Sequence, residues 1–378
     1  MTGIIKIHLK GILLTIIIIT IVIVLLAYST FTASGVAEGL SYAAKYLIPS
    51  LFPFMVISSF TMYSGAYRTI GKLFSPFISR LFRLPKATSA AIILSFVGGF
   101  PIGAKCTAML YSSGQINEKQ ANQMMTFCVS SGPAFLITAV GTIMLGNGFL
   151  GIILYISQLL AAVVTGIIVG IFFGDETDHC GEHSDSKGIC HSLICSCSDA
   201  AYSVIELTAL VVVFTIAVKI TEQSKVNHIV LEWINALGAN DRLTEMILPV
   251  FLEVTGACRK ICSGGFQPWV LSLAVGFGGL CVHLQIFHIL RNIKINKKIF
   301  FLFRLINSLF SSVITYVICI FYQPVSQTFA VSENTNAEPV SGTYIGAAAL
   351  IVMCVVFLLS FKRSYYSYHN HISNQYFR

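Results

Sequence analysis

Four short stretches of this chain combine helix-breaking residues with polar or charged side chains inside otherwise apolar runs. GGFPIGAK at 98–105 sets Gly98, Gly99, Pro101 and Gly103 ahead of Lys105, and SSGPAF at 130–135 sets Ser130 and Ser131 beside Gly132 and Pro133. LEVTGACRK at 252–260 carries Glu253, Thr255, Gly256 and Arg259, and FGGLCVHLQ at 277–285 carries Gly278, Gly279, His283 and Gln285. Hydrocarbon tolerates a freed backbone N–H or C=O only where it is buried in protein or lines a cavity, so a helix broken at membrane depth marks a candidate site.

The chemistry open to these side chains is binding. A membrane-embedded carboxylate such as Glu253 coordinates a cation, transfers a proton or pairs with an embedded base, and a salt bridge to Arg259 or Lys105 that only braces the bundle is the alternative. Lys105 and Arg259 imply an anionic solute if they face a cavity. At the interface they would snorkel, as Lys260 is expected to, and say nothing about the solute. His283 and Gln285 can bind a carboxylate or a ring nitrogen, and His283 can relay a proton, although an interhelical hydrogen bond satisfies either. The hydroxyls of Ser130 and Ser131 sit where a break would present them.

The elements that must position these residues are membrane helices. The chain has 378 residues, 55% hydrophobic and 11% charged, the composition of an all-α polytopic membrane protein. Its net charge of +8 falls in short basic clusters between apolar runs, the positive-inside pattern, and excludes a nucleic-acid footprint. Expected partners are the lipid bilayer and a small solute, with a proton or cation as a possible coupling partner. Residues 1–39 read as an N-terminal anchor helix, 40–173 as a first repeat, 174–198 as a Cys/His-rich loop and 199–323 as a second repeat. Residues 324–378 read as a linker, a last membrane helix and a basic tail. Pro49 and Pro53 should kink one segment; 68–86 and 226–237 read as interfacial. Cys106, Cys128, Cys258, Cys281, Cys319 and Cys354 lie in or beside apolar runs and read as packing residues.

The loop's His179, Cys180, His183, Cys190, His191, Cys195 and Cys197 suit a soft divalent ion, but no paired C-x-x-C knuckle is present, and an unstructured loop without metal is expected. A Ser-His-Asp hydrolase motif, a phosphate-binding loop and a dinucleotide fingerprint are missing, so no cofactor and no enzymatic activity are expected.

Setting Ala43-Ala44 against Ala200-Ala201 brings GGFPIGA near LEVTGA and SSGPAF near GFGGLCV, an internal duplication in the order of the breaks. If every apolar run spans, there are ten helices and parallel halves. If 87–111 and 243–262 are re-entrant hairpins, there are eight and the halves are inverted. Hairpins are favoured because they bring helix ends to the membrane middle, where their dipoles can hold an anion.

The ordered motifs PSLFPF (49–54), GGFPIGAK, SSGPAF, LEVTG and FGGLCVHLQ resemble the YlbJ/SpoVV sporulation integral membrane protein family, which carries nucleoside-recognition gate domains, over about residues 41–291. Ser130 stands where that pattern suggests an Asn, and the Cys/His loop is foreign to it. The resemblance implies a role in endospore formation in the outer forespore membrane, moving dipicolinic acid from mother cell toward forespore. It also implies hairpins like those of concentrative nucleoside transporters, with a nucleoside or nucleobase carrier and a non-transport sporulation protein as the other readings.

Overall fold

The structure, a computed structural model, describes residues 2–174, 188–224 and 241–322. Every element among them is a helix. The basic tail, the last apolar run, the linker before it, 226–237, and His179, Cys180 and His183 lie outside the described residues, as does Cys354.

Helix α1 (Thr2–Ala27) is exposed along its apolar length from Gly11, as a helix bathed in lipid must be. Helices α2 (Ser29–Tyr42) and α3 (Ile48–Tyr63) are joined through a π-helical turn, Ala43–Leu47, into one rod that carries Pro49 and Pro53. The amphipathic α4 (Tyr67–Phe82) exposes Leu73 and Phe77 and ends at Arg83 in the left-handed conformation. It is turned by 112° from the helical segment Lys86–Gly98, which suits a helix lying in the interface.

Helices α5 (Ser89–Gly98) and α6 (Phe100–Ser112) fold back on each other at Gly99. A Cβ on Gly103 would fall 3.1 Å from the Cβ of Ser95, each four residues from Gly99, so 87–111 doubles back as a hairpin. A capping box between Asn117 and Gln120 starts α7 (Glu118–Phe127). An unwound segment leads to a π-helix, Ala134–Met144, and Asn147 caps α8 (Gly148–Phe173).

Helix α9 (Ile189–Gln223) opens the second half. Its first turns include Cys190, His191, Cys195 and Cys197, so these four are helical rather than part of a loop; no metal-holding cluster forms among the described residues. Then follow α10 (Asp241–Leu252), α11 (Val254–Ser263), α12 (Pro268–Phe277), α13 (Gly279–Ile289) and α14 (Lys297–Tyr322).

Five described helical segments are long and apolar enough to cross a membrane, six if α4 and α5 count as one. Among the described residues, the apolar runs at 87–111, 122–145 and 243–262 are broken into short helices. The α2–α3 rod lies antiparallel to α9: Gly35 meets Ile216, Gly39 meets Val212, and Ser59 Oγ donates to Asp199 Oδ2 at 2.7 Å. Close packing at the two glycines is the small-residue contact that replaces the hydrophobic effect between helices in lipid.

Candidate functional site

The four clusters fold as four helix breaks, and the breaks meet in pairs. Gly99 has φ +83°, a conformation only glycine adopts without strain, and its backbone lies against that of Gly132 so closely that neither position has room for a Cβ. In the second half the backbone of Gly279 lies against Glu253 and Val254 in the same way. Across the halves, Gly278 faces the ring of Phe100.

Between the pairs lies a cavity of about 490 Å³, with Glu253 as its one acidic or basic lining residue among the described residues. Gly99 and Pro101 at the start of α6, Gly132 before the π-helix, Thr255 at the start of α11 and Gln285 on α13 reach it. Leu47 and Leu51 of the α2–α3 rod and Leu207 and Val211 of α9 close the sides, with Phe100 and Phe135 as flat apolar walls. The first turns of four half-helices, the positive ends of their dipoles, therefore border one space.

Glu253 takes one of those N-termini for itself. It is 3% exposed and caps α11, with Oε1 accepting from Thr255 N at 2.7 Å and Oε2 from Gly256 N at 2.5 Å. Neither Lys105 nor Arg259 is its partner. The N-termini of α6, the π-helix and α13 have no side-chain cap. Such an end holds an anion by backbone N–H groups and dipole together.

Glu253 and Gly256 also border a second, charged cavity of about 420 Å³, which Arg259 lines with Glu38, Lys219, Glu222 and Lys260. Arg259 donates to Glu38 Oε1 at 2.5 Å and lies 4.9 Å over the Tyr42 ring, Lys219 reaches Glu38 Oε2 at 2.7 Å, and Lys260 is bound by Glu222. Lys260 is thus paired in this network. Lys105 lies off the apolar cavity. Its ammonium donates to Asp199 Oδ1 at 2.9 Å and to Ser203.

These contacts form two latches. On one side a base of α6 meets an acid of α9, which also binds Ser59 of α3. On the other, a base of α11 meets an acid of α2, which also binds Lys219 of α9. Asp199 lies about 12 Å along α9 before the cavity residue Leu207, and Lys219 about 12 Å beyond Val211.

The remaining sequence candidates lie away from the cavity. Gly98 closes α5 and Gly103 packs α6 onto the unwound segment. Ser130 and Ser131 are buried beside the break but do not line the cavity. His283 is fully buried among the rings of Phe277, Phe300 and Phe301, each 5.0–5.4 Å away and edge-on. Sequence reading passed over Arg304, the base within the apolar run of α14 after Lys298, which is 1% exposed and bound to the carbonyl of Val129; a base within such a run was the available signal.

Residues 44–148, which hold the first pair of breaks, match the Gate family, described as nucleoside recognition. Over 86% of its length the chain is 24% identical to the sporulation integral membrane protein YlbJ of Bacillus subtilis strain 168, covering 86% of that protein. The expected resemblance to the sporulation integral membrane proteins therefore holds over most of the chain. No solved structure matches.

Proposed function

We propose that the chain is a membrane transporter of a small aromatic dicarboxylate, dipicolinate, acting in endospore formation across the outer forespore membrane. One observation carries this reading: four half-helix N-termini converge on one apolar cavity, and three of them have no capping side chain. A planar dianion fits the chemistry of such a space. Its carboxylates take uncapped N-termini, its ring lies between Phe100 and Phe135, and the Gln285 amide donates to the ring nitrogen. Glu253 already stands as a carboxylate at the fourth N-terminus, and a proton or cation arriving there offsets part of the solute's charge. The likeness to a sporulation membrane protein supports the setting.

Alternating access follows if the two halves are inverted repeats. The antiparallel course of the α2–α3 rod and α9, and the reciprocal latches of base on hairpin helix with acid on rod, support that arrangement. Opening the Lys105–Asp199 latch exposes the cavity to one side, and opening the Glu38 latch to the other.

A nucleobase or nucleoside is the second reading, favoured by the Gate match and by a cavity lining that holds no basic side chain among the described residues. Counterflow in proteoliposomes tests both. Labelled dipicolinate should accumulate against unlabelled dipicolinate and resist competition by uridine and adenosine; competition by either nucleoside shifts the assignment. In a sporulating strain lacking the gene, low spore dipicolinate with synthesis retained in the mother cell is the expected result, and normal spore dipicolinate removes that substrate.

A further inference from the structure

Arg304 is a buried charge that the cavity does not use. It lies in the apolar α14, and no carboxylate pairs with it among the described residues. Its guanidinium donates instead to the carbonyl of Val129 and, at 3.4 Å, to that of Thr126. These carbonyls stand where the break after α7 leaves no following helical turn to supply donors. A planar fork of N–H groups satisfies two carbonyls at once, and its charge meets the negative pole of the α7 dipole.

The segment so held is pressed from the other side by α6, where Gly103 abuts the carbonyl of Cys128 so closely that a Cβ has no room. Directly after it come Gly132, a wall of the cavity, and Pro133, which opens the π-helix. The nearby polar side chains do not share the task. Ser131 Oγ is buried without a partner, and so are both amide atoms of Asn307, one turn beyond Arg304 on α14. Among these side chains, the grip on the segment from the second half is Arg304's.

We propose that Arg304 is the positioning residue of this break: by standing in for the missing turn it keeps residues 128–133 unwound and holds the uncapped N-terminus of the π-helix on the cavity. The consequence for solute rests on the transport reading; the positioning does not.

Cys128, fully buried within the segment, is a native reporter. The test is the alkylation rate of Cys128 in the purified full chain, resolved by peptide mass spectrometry, with the buried Cys258 and Cys262 of α11, which do not line the cavity, as internal controls. Arg304→Gln, which loses charge and fork, should label Cys128 at least about tenfold faster with both controls unchanged. Arg304→Lys keeps the charge and should stay within about threefold of the parent but measurably above it. A Cys128 rate equal to the parent's in both variants overturns the proposal, as does a parallel rise at all three cysteines. If Arg304→Gln does not accumulate, Arg304→Lys decides on the same terms. Counterflow of dipicolinate by the parent protein is measured separately, so a parent that moves no solute removes the transport reading and leaves the Cys128 result to judge Arg304.

Discussion

Glu253 and Arg304, 3% and 1% exposed, meet opposite poles of broken helices: the carboxylate takes the N–H groups that open α11, and the guanidinium takes the carbonyl of Thr126 in the last turn of α7 and that of Val129 just past it. They are the two charged side chains buried among the described residues, and each is neutralised by backbone rather than by an opposite charge. Breaking a helix in hydrocarbon strands N–H groups on one side and C=O groups on the other, so each polarity needs its own partner.

Glu253→Gln follows from that role. The amide keeps one acceptor oxygen where the carboxylate offers two, so the cap weakens by about 1 kcal/mol and the chain still folds. Membrane abundance should match the parent's while dipicolinate counterflow falls at least about tenfold, because the negative charge that a proton or cation answers is gone. Quantitative immunoblotting beside counterflow checks it. Undiminished counterflow takes Glu253 out of the mechanism.

The Gly99 and Gly132 contact makes a stability prediction. Gly99→Ala places a Cβ at φ +83° and against the Gly132 backbone, which costs about 1–3 kcal/mol for the conformation alone. Gly132→Ala meets the backbone of Gly98 and Gly99 and should also lower Tm. Gly71→Ala is the contrast: its Cβ has only the methyl of Ala90 at 3.9 Å, in a helix where alanine is worth about 0.5–1 kcal/mol over glycine. Thermal unfolding of the three purified variants should give two losses and one small gain.

Exchanging the charges of a latch tests whether the latches are electrostatic. Asp199→Lys alone sets two ammonium groups side by side, and Lys105→Asp alone sets two carboxylates together. The double exchange restores attraction, and coupling of about 0.5–3 kcal/mol between contacting residues should return much of the lost counterflow rate. A double variant no better than the worse single one would show that this pair does not gate.

The breaks themselves were legible because glycine, proline and embedded charge are local signals: residues 98–105 and the stretch around Glu253 broke where their composition required. Partners were not. Lys105 read as a candidate for the solute, yet its acid is 94 positions away on α9, and Arg259 finds Glu38 across 221 positions. Only the antiparallel packing of α9 on the α2–α3 rod brings such pairs together. His283 misled for a related reason: its polar type suggested a site, whereas the rings of Phe300 and Phe301 from α14 enclose it.

Gln285 separates the two solutes. It is 2% exposed and reaches the cavity from α13, where its amide is the neutral group able both to donate and to accept in the manner a nucleobase edge requires. A site built to hydrogen-bond such an edge leaves polar groups unpaired when the amide is removed, so Gln285→Leu should weaken a nucleoside by about 10²-fold or more. A dicarboxylate draws its binding from the N-termini of α6, the π-helix and α13, which the substitution leaves in place, and loses only the contact to its ring nitrogen. Gln285→Leu should therefore raise the dipicolinate KM by about tenfold or less, one neutral hydrogen bond's worth. Measuring counterflow KM for dipicolinate and uridine in the parent and in this variant distinguishes the two: saturable dipicolinate counterflow in the parent, with KM raised about tenfold or less in the variant, keeps the dicarboxylate reading, whereas saturable uridine counterflow that collapses in the variant, with no saturable dipicolinate counterflow in either protein, makes the cavity a nucleoside site.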